Sequence, residues 1–168
     1  EIDEGGIDRI DLTYTPENYK ETYNKIKDVK LDLLSLQGTY QFGMLDSLTT
    51  LYALMEKKSF DAIGGDRLNW DHFNWIDREV WELIYRLIGT VDNCVLNSHP
   101  DIRGDNDATM KIVPFARKAL SNSIPGRFQE GYNAVTIGDG EDCCYIWETR
   151  PHGMFSGNTL IPGLPFQV

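Results

Sequence analysis

The spacing of apolar residues changes near the middle of this chain, and that change constrains the fold more than any other feature. Up to about Gly89 the apolar residues recur every three or four positions, which is the spacing of one face of an amphipathic helix. After Gly131 they fall into two short runs separated by turn residues, which is typical of a β-hairpin. The sequence therefore predicts an α+β fold, with a helical unit followed by a hairpin.

Three segments carry the helical pattern, at 16–37, 44–58 and 71–88. Thr15 and Pro16 are typical of an N-cap and a first helical position, and Gly38 is expected to end the first helix. Because Gly38 and Gly43 lie in the short connection, the first two segments predict an antiparallel helical hairpin, or one long helix that bends at these glycines. Gly89 is expected to cap the third helix.

In the second half of the chain, short apolar runs between turn residues predict strands at 91–96, 110–113, 132–137 and 143–149. The last two flank an acidic, glycine-containing turn at 138–142, which favours a hairpin. A short helix is predicted from Pro114 to Leu120, and a loop from Asn97 to Asp107.

A chain of 168 residues predicts one domain, here spanning 1–168. Residues 1–13 are expected to form an N-terminal arm, and residues 150–168 an extended, irregular C-terminal tail. The tail combines Pro and Gly with several large apolar side chains, among them Phe155, Leu160, Ile161, Leu164 and Phe166. Because a solvated tail would not normally hold so many apolar groups, we expect it to lie in an apolar groove of this chain or of a neighbour.

The net charge of −10 opposes direct binding of nucleic acid, because no surplus of Lys and Arg exists to neutralise phosphates. It favours solubility or a basic protein partner. No apolar run approaches the roughly 20 residues that span a bilayer, so no membrane association is predicted. Cys94, Cys143 and Cys144 are interpreted as free thiols of a reducing compartment, with a bridge from Cys94 to one of the pair as the alternative. The expected location is the cytoplasm or a virion.

Aromatic residues are concentrated in and just before the third helical segment, at Trp70, Phe73, Trp75, Trp81 and Tyr85. They cannot all share one face, because each residue of a helix is turned about 100° from the last. Three explanations are open for the set, namely core packing, a protein interface, and a platform for a carbohydrate or other ligand. We therefore predict an interface formed by these residues together with the apolar residues of the tail.

The loop at 101–107 has the oxygen density of a cation site, because it contains Asp101, Asp105 and Asp107 together with Asn106. The Glu that completes a calcium loop is missing, so ordinary turn chemistry is the alternative. A metal site or a Cys/His nucleophile pair formed by the cysteines with His99, His152 and Glu148 is a further hypothesis, although no C-x-x-C or H-E-x-x-H spacing occurs. No cofactor is predicted.

Three functional hypotheses follow. The favoured one is a non-enzymatic subunit that binds another protein or a second copy of itself, such as an assembly component of a phage or other virion. The second is an acidic inhibitor or immunity-type protein that masks a basic partner. The third is a small hydrolase that uses Cys143 or Cys144 with a histidine, or a metal at residues 101–107. The sequence does not decide whether the protein is an enzyme, but it favours a role without catalysis.

Overall fold

Helices make up most of the N-terminal half and short strand pairs the C-terminal half, which confirms the predicted α+β class. The computed structural model describes residues 9–104, 111–138 and 143–149. Contacts divide the chain into two compact units, an N-terminal unit of residues 1–97 and a C-terminal unit of residues 98–168. The expectation of a single domain stays a prediction.

Three helices form the core of the N-terminal unit: α1 (Tyr19–Ser35), α2 (Leu48–Ile63) and α3 (Trp70–Thr90). Each packs against the other two, as their apolar spacing predicts. The buried side chains between them are Ile26, Leu48, Leu51, Leu54, Met55, Ile76, Val80, Leu83 and Ile84.

Polar side chains mark where these helices begin. The Ser47 hydroxyl accepts a hydrogen bond from the Thr50 amide at the start of α2, and the Asn69 side chain accepts from two amides at the start of α3. The Thr15 hydroxyl accepts from the amide of Asn18 in a turn that precedes α1, so α1 begins later than the Thr-Pro pair predicts. Gly38 follows α1 with a φ of +76°, a left-handed conformation that favours glycine.

The second helical segment is where prediction and structure differ most. Met44 and Leu45 belong to a strand, β1 (Phe42–Leu45), which pairs in parallel with β2 (Asn93–Leu96). Parallel neighbours need a long crossover, and α2 and α3 provide it. The predicted helical hairpin is therefore wrong, and so is the single bent helix, because a strand separates α1 from α2.

Gly89 lies inside α3 and does not cap it. The helix continues to Thr90, and Val91 is the C-cap. The Thr90 hydroxyl lies 2.7 Å from the Arg86 carbonyl oxygen and 3.0 Å from that of Leu33. The end of α3 is thereby held against the end of α1.

The C-terminal unit holds two antiparallel strand pairs: β3 (Pro100–Arg103) with β4 (Lys111–Pro114), and β5 (Asn133–Ile137) with β6 (Cys144–Glu148). The second pair confirms the predicted hairpin. Strand β3 lies in a segment predicted as loop. A short helix, α4 (Lys118–Ser123), and a 3-10 turn (Pro125–Arg127) follow β4. Buried apolar residues of this unit include Val113, Ala116, Leu120 and Ile124.

Candidate protein-interaction site

The pair of strands β1 and β2 has one apolar face exposed to solvent. In the parallel register Phe42 lies opposite Asn93 and Met44 opposite Val95, so these four residues share one face. The side chains of Phe42, Met44 and Val95 are 69%, 57% and 43% exposed. We call the surface formed by Phe42, Met44 and Val95 the open sheet face.

The opposite face of the same two strands is covered by α3. A Cβ atom placed on Gly43 would lie 2.8 Å from Leu87 Cδ1 and 3.1 Å from the Val91 methyl groups. A side chain at position 43 would therefore require the Leu87 or Val91 side chain to shift. Cys94 lies on the covered face, where burial raises the pKa of its thiol.

Hydrogen bonds continue the strand pair beyond both of its ends. The Asn93 amide donates to the Gln41 carbonyl over 2.8 Å, and the Asn97 amide donates to the Leu45 carbonyl over 3.0 Å. The Leu48 amide then donates to the Asn97 carbonyl over 2.8 Å. The open sheet face is thus tied directly to the start of α2.

An exposed carboxylate stands at each end of the strand pair. Asp46 follows β1 directly, and Asp92 precedes β2 directly. Since the strands are parallel, these two positions lie at opposite ends of the pair. Neither carboxylate takes part in an ion pair among the residues that the structure describes.

A buried charge network joins α1 to α3. Lys30 Nζ lies 2.8 Å from Glu79 Oε2 and 2.7 Å from Glu82 Oε2, with Lys30 itself almost fully buried. Arg86 donates to Glu82 over 2.8 Å and to the Lys30 carbonyl over 3.0 Å. The hydrogen bonds from Lys30 and then from Arg86 hold the pKa of the Glu82 carboxyl below its usual value.

Tyr23 completes this network. Its hydroxyl donates to Glu79 Oε2 over 3.3 Å, and burial, followed by the Glu79 charge, raises its pKa to about 12. Every charged group of the network has a partner of opposite sign at 2.8 Å or less. The network therefore fixes the position of α1 on α3 and offers no free amine or carboxylate for chemistry.

The structure places the predicted aromatic residues at several points along α3. Trp70 is exposed at its first position, while Phe73 is half-buried. Trp75 packs against Tyr23, with ring centroids 6.0 Å apart. The Trp81 and Tyr85 rings are stacked at 5.1 Å, and Tyr85 is exposed. The part of the predicted interface formed by Trp70, Phe73, Trp75, Trp81 and Tyr85 stays a prediction.

A shallow groove of about 490 Å³ lies beside Tyr85, between the C-terminal parts of α1 and α3. Leu33, Leu34 and Tyr85 supply its apolar lining, and Glu82 and Arg86 form an ion pair at its wall. The tail residues expected to occupy an apolar groove, namely Phe155, Leu160, Ile161, Leu164 and Phe166, lie outside the described residues.

The predicted metal loop is described only in part. Asp101 accepts a hydrogen bond of 2.6 Å from Arg103 Nε, while Asp105 and Asp107 lie outside the described residues. Arg103 also contacts Ser121 and the Ala116 carbonyl, which ties β3 to α4. The described residues contain no group of three His, Cys, Asp or Glu side chains that could hold a metal ion.

The thiols and their predicted partners are not gathered in one place. Cys94, Cys143 and Cys144 are all free, so the alternative of a bridge from Cys94 is wrong. Glu148 accepts a hydrogen bond from the Asn133 side chain across the β5–β6 hairpin, and His152 lies outside the described residues.

No protein-family model matches this chain, and no curated protein or solved structure is significantly similar to it. Within the described ranges, every helix is too short or too polar to cross a membrane.

Sequence reasoning missed the open sheet face. Met44 and Leu45 fit the same spacing of three and four residues as the apolar residues of α2, so the spacing predicts that they belong to the helix. The signal that could have separated them is Ser47, because a serine is typical of the N-cap and so indicates a helix that begins after it.

Proposed function

We propose that this protein works without catalysis, by binding another protein through the open sheet face. The observation that carries the proposal is a parallel strand pair with α3 on one face and exposed Phe42, Met44 and Val95 on the other. Parallel strands in proteins normally have both faces covered, usually by helices. An unpaired apolar face of this kind is what a partner would cover.

The free energy of burying apolar surface also favours a protein-binding function for the open sheet face. Burying apolar surface is worth roughly 25 cal/mol for each Å² removed from water. Three adjacent apolar side chains on a hydrogen-bonded strand pair form a pre-organised patch, so binding would cost little ordering of the chain. Large aromatic rings, such as that of Phe42, are among the residues that most often dominate binding energies.

The acidic-inhibitor hypothesis is the second candidate. It is supported by the net charge of −10 and by exposed Asp46 and Asp92 at the two ends of the strand pair. Both candidates require a protein partner and differ in whether that partner is inhibited. The virion setting stays a prediction, as does a hydrolase built on residues outside the described ranges.

The proposal is tested by placing a photo-crosslinking amino acid at position 44 and, as a control, at position 31, in the protein expressed in its native host. Leu31 lies on α1 and is 65% exposed, so its exposure is comparable with that of Met44. We expect a discrete crosslinked species from position 44 only. The partner identified there should bind the purified protein at least tenfold more weakly after Met44→Asp. Equal crosslinking at both positions, or a partner whose affinity is unchanged by Met44→Asp, would overturn the proposal.

A further inference from the structure

We infer that the groove beside Tyr85 is a binding site for a small, uncharged planar ring that carries a hydrogen-bond acceptor. Its volume of about 490 Å³ is within the range of small-molecule sites, roughly 300–1,000 Å³. The groove uses none of the residues of the open sheet face, so its occupancy is independent of the proposed function. We call it the Tyr85 groove.

An interrupted stack of rings on α3 lines this groove. Trp81, Tyr85 and Gly89 follow one another at intervals of four residues, so they lie along one ridge of the helix. The Trp81 and Tyr85 rings are stacked, with centroids 5.1 Å apart and planes at 20° to each other. Because Trp81 covers one face of the Tyr85 ring, the face towards Gly89 is the one left for a ligand. A ring seated over Gly89 would extend the stack by one member.

Neither backbone conformation nor packing accounts for a glycine at position 89. Gly89 is helical, its φ is not positive, and a Cβ atom placed on it would have nothing within 4 Å. Since a glycine inside a helix is less stabilising than an alanine, the chain loses stability by keeping this position open. What Gly89 provides is bare helix backbone in the lining of the groove, against which a flat group can lie closely.

Leucine side chains supply the other wall. Leu33 and Leu34 belong to α1 and line the groove, and Leu34 is 64% exposed. A ring between the two helices would therefore have apolar neighbours from α1 and from α3, and burying its faces favours binding. Planarity matters because stacking on Tyr85 adds to the free energy gained from burial alone.

The polar groups of the groove specify an uncharged acceptor. Arg86 donates to Glu82 through Nε and Nη2, and to the Lys30 carbonyl through Nη1. Two of its five N–H groups therefore have no acceptor among the residues that the structure describes. An anion would be repelled by Glu82 and a cation by Arg86, and both line the groove. A carbonyl oxygen can accept from Arg86 without adding a charge, and the exposed amide of Gln37 offers a further donor.

The test is an NMR titration of the whole protein with three probes. Indole-3-carboxamide is planar and uncharged and carries a carbonyl group. Indole-3-carboxylate is planar but anionic, and cyclohexanecarboxamide is uncharged but not planar. Backbone amide shifts of residues 33–37 and 85–90 report binding in the Tyr85 groove, and shifts of the other amides report binding elsewhere.

Each titration is repeated on three variants whose folding is verified by circular dichroism. Gly89→Leu fills the groove, because the side chain of a helical residue points back over the preceding turn and would cover the Tyr85 ring. Gly89→Ala is the smaller change at the same position. The control is Gly126→Ala in the 3-10 turn, where an added Cβ atom also has nothing within 4 Å.

We expect indole-3-carboxamide to shift the amides of 33–37 and 85–90 in a saturable way, and the other two probes to bind at least fivefold more weakly. Gly89→Ala should weaken its binding at least threefold, Gly89→Leu should abolish it, and Gly126→Ala should leave it unchanged. Because Gly89→Ala is expected to be more stable than the wild type, weaker binding by that variant would not come from loss of the fold.

Three results would overturn the inference. They are the absence of saturable shifts at these amides, equal affinity of all three probes, and binding to Gly89→Leu as tight as to the wild type. If the probes do not bind, a photo-crosslinking amino acid at position 34 in the native host shows whether a protein partner occupies the groove instead. None of these results changes the crosslinking expected from position 44, so the proposed function is tested separately.

Discussion

Gly43 lies where β1 and the end of α3 come closest. Its missing side chain leaves room for Leu87 of α3 and for the C-cap residue Val91 to lie directly on β1. Any Cβ there would meet side-chain atoms at 2.8–3.1 Å, closer than packed atoms normally approach. The covered face of the sheet, and with it the orientation of the open face, depends on this position.

Substituting two glycines of the same unit by alanine should therefore have opposite effects. Gly43→Ala should lower the free energy of unfolding by about 1–3 kcal/mol, because the packed core must shift to admit a methyl group. Gly89→Ala should raise it by roughly 0.5–1 kcal/mol, because Gly89 is helical and nothing lies within 4 Å of the new atom. Urea unfolding of both variants measures the difference. A Gly43→Ala variant as stable as Gly89→Ala would contradict the close packing of α3 on β1.

Glu82 gives the protein a defined sensitivity to acid. Its pKa in the folded state is lower than the usual 4.5, so the folded state binds its proton less readily than the unfolded state does. The stabilisation is therefore fully present above pH 4.5 and is lost as the pH falls through the lowered pKa. We expect unfolding free energies measured between pH 7 and pH 3 to fall less steeply in Glu82→Gln than in the wild type.

The matched control for this measurement is Glu21→Gln. Glu21 pairs with Lys25 on the exposed surface of α1, where ion pairs contribute little. The unfolding free energy of Glu21→Gln should change with pH in parallel with that of the wild type. If the unfolding free energy of Glu82→Gln also changes in parallel with that of the wild type, the charge network does not contribute to acid stability in the way described.

At the scale of the elements, the three helices are the part that the sequence predicts best. Their apolar spacing is long and regular, so both their existence and their mutual packing could be inferred from Ile26, Leu51, Val80 and Leu83. The four-residue strands could not be assigned as securely, because four residues are too few to separate a period of two from a period of 3.6. The open sheet face was missed for that reason, and β3 was predicted as loop because Pro100 and Asp101 resemble turn residues.

The helical core is tested by truncating one buried leucine in each of two helices. Leu48 and Leu83 are almost fully buried in α2 and α3, so Leu48→Ala and Leu83→Ala should each cost about 2–5 kcal/mol. Leu31→Ala on exposed α1 surface should change stability by no more than about 0.5 kcal/mol. Thermal or urea unfolding gives all three values. Three equal values would show that the apolar spacing does not report burial here.

At the scale of the whole molecule, the division at residues 97 and 98 predicts two separately cooperative units. A change confined to the core of one unit should then destabilise that unit alone. We expect Leu48→Ala to raise amide exchange throughout α1, α2 and α3 while leaving the amides of the β5–β6 hairpin as protected as before. Exchange followed by mass spectrometry measures both regions in one experiment.

Loss of amide protection in both units would indicate a single cooperative domain. If the hairpin amides lose protection together with the helices, the chain unfolds as one cooperative domain, as its length alone predicts. A variant in the C-terminal unit, Leu120→Ala, gives the reciprocal test, because Leu120 is buried in α4.

The parallel pairing of β1 with β2 also has a kinetic consequence. Its two strands are separated in sequence by the whole of α2 and α3, so the pair can form only after the chain has closed a long loop. Contacts of this kind are expected to form late in folding and to open early in unfolding. A partner seated across both strands would oppose that opening, and would thereby lengthen the lifetime of the folded chain as well as binding to it.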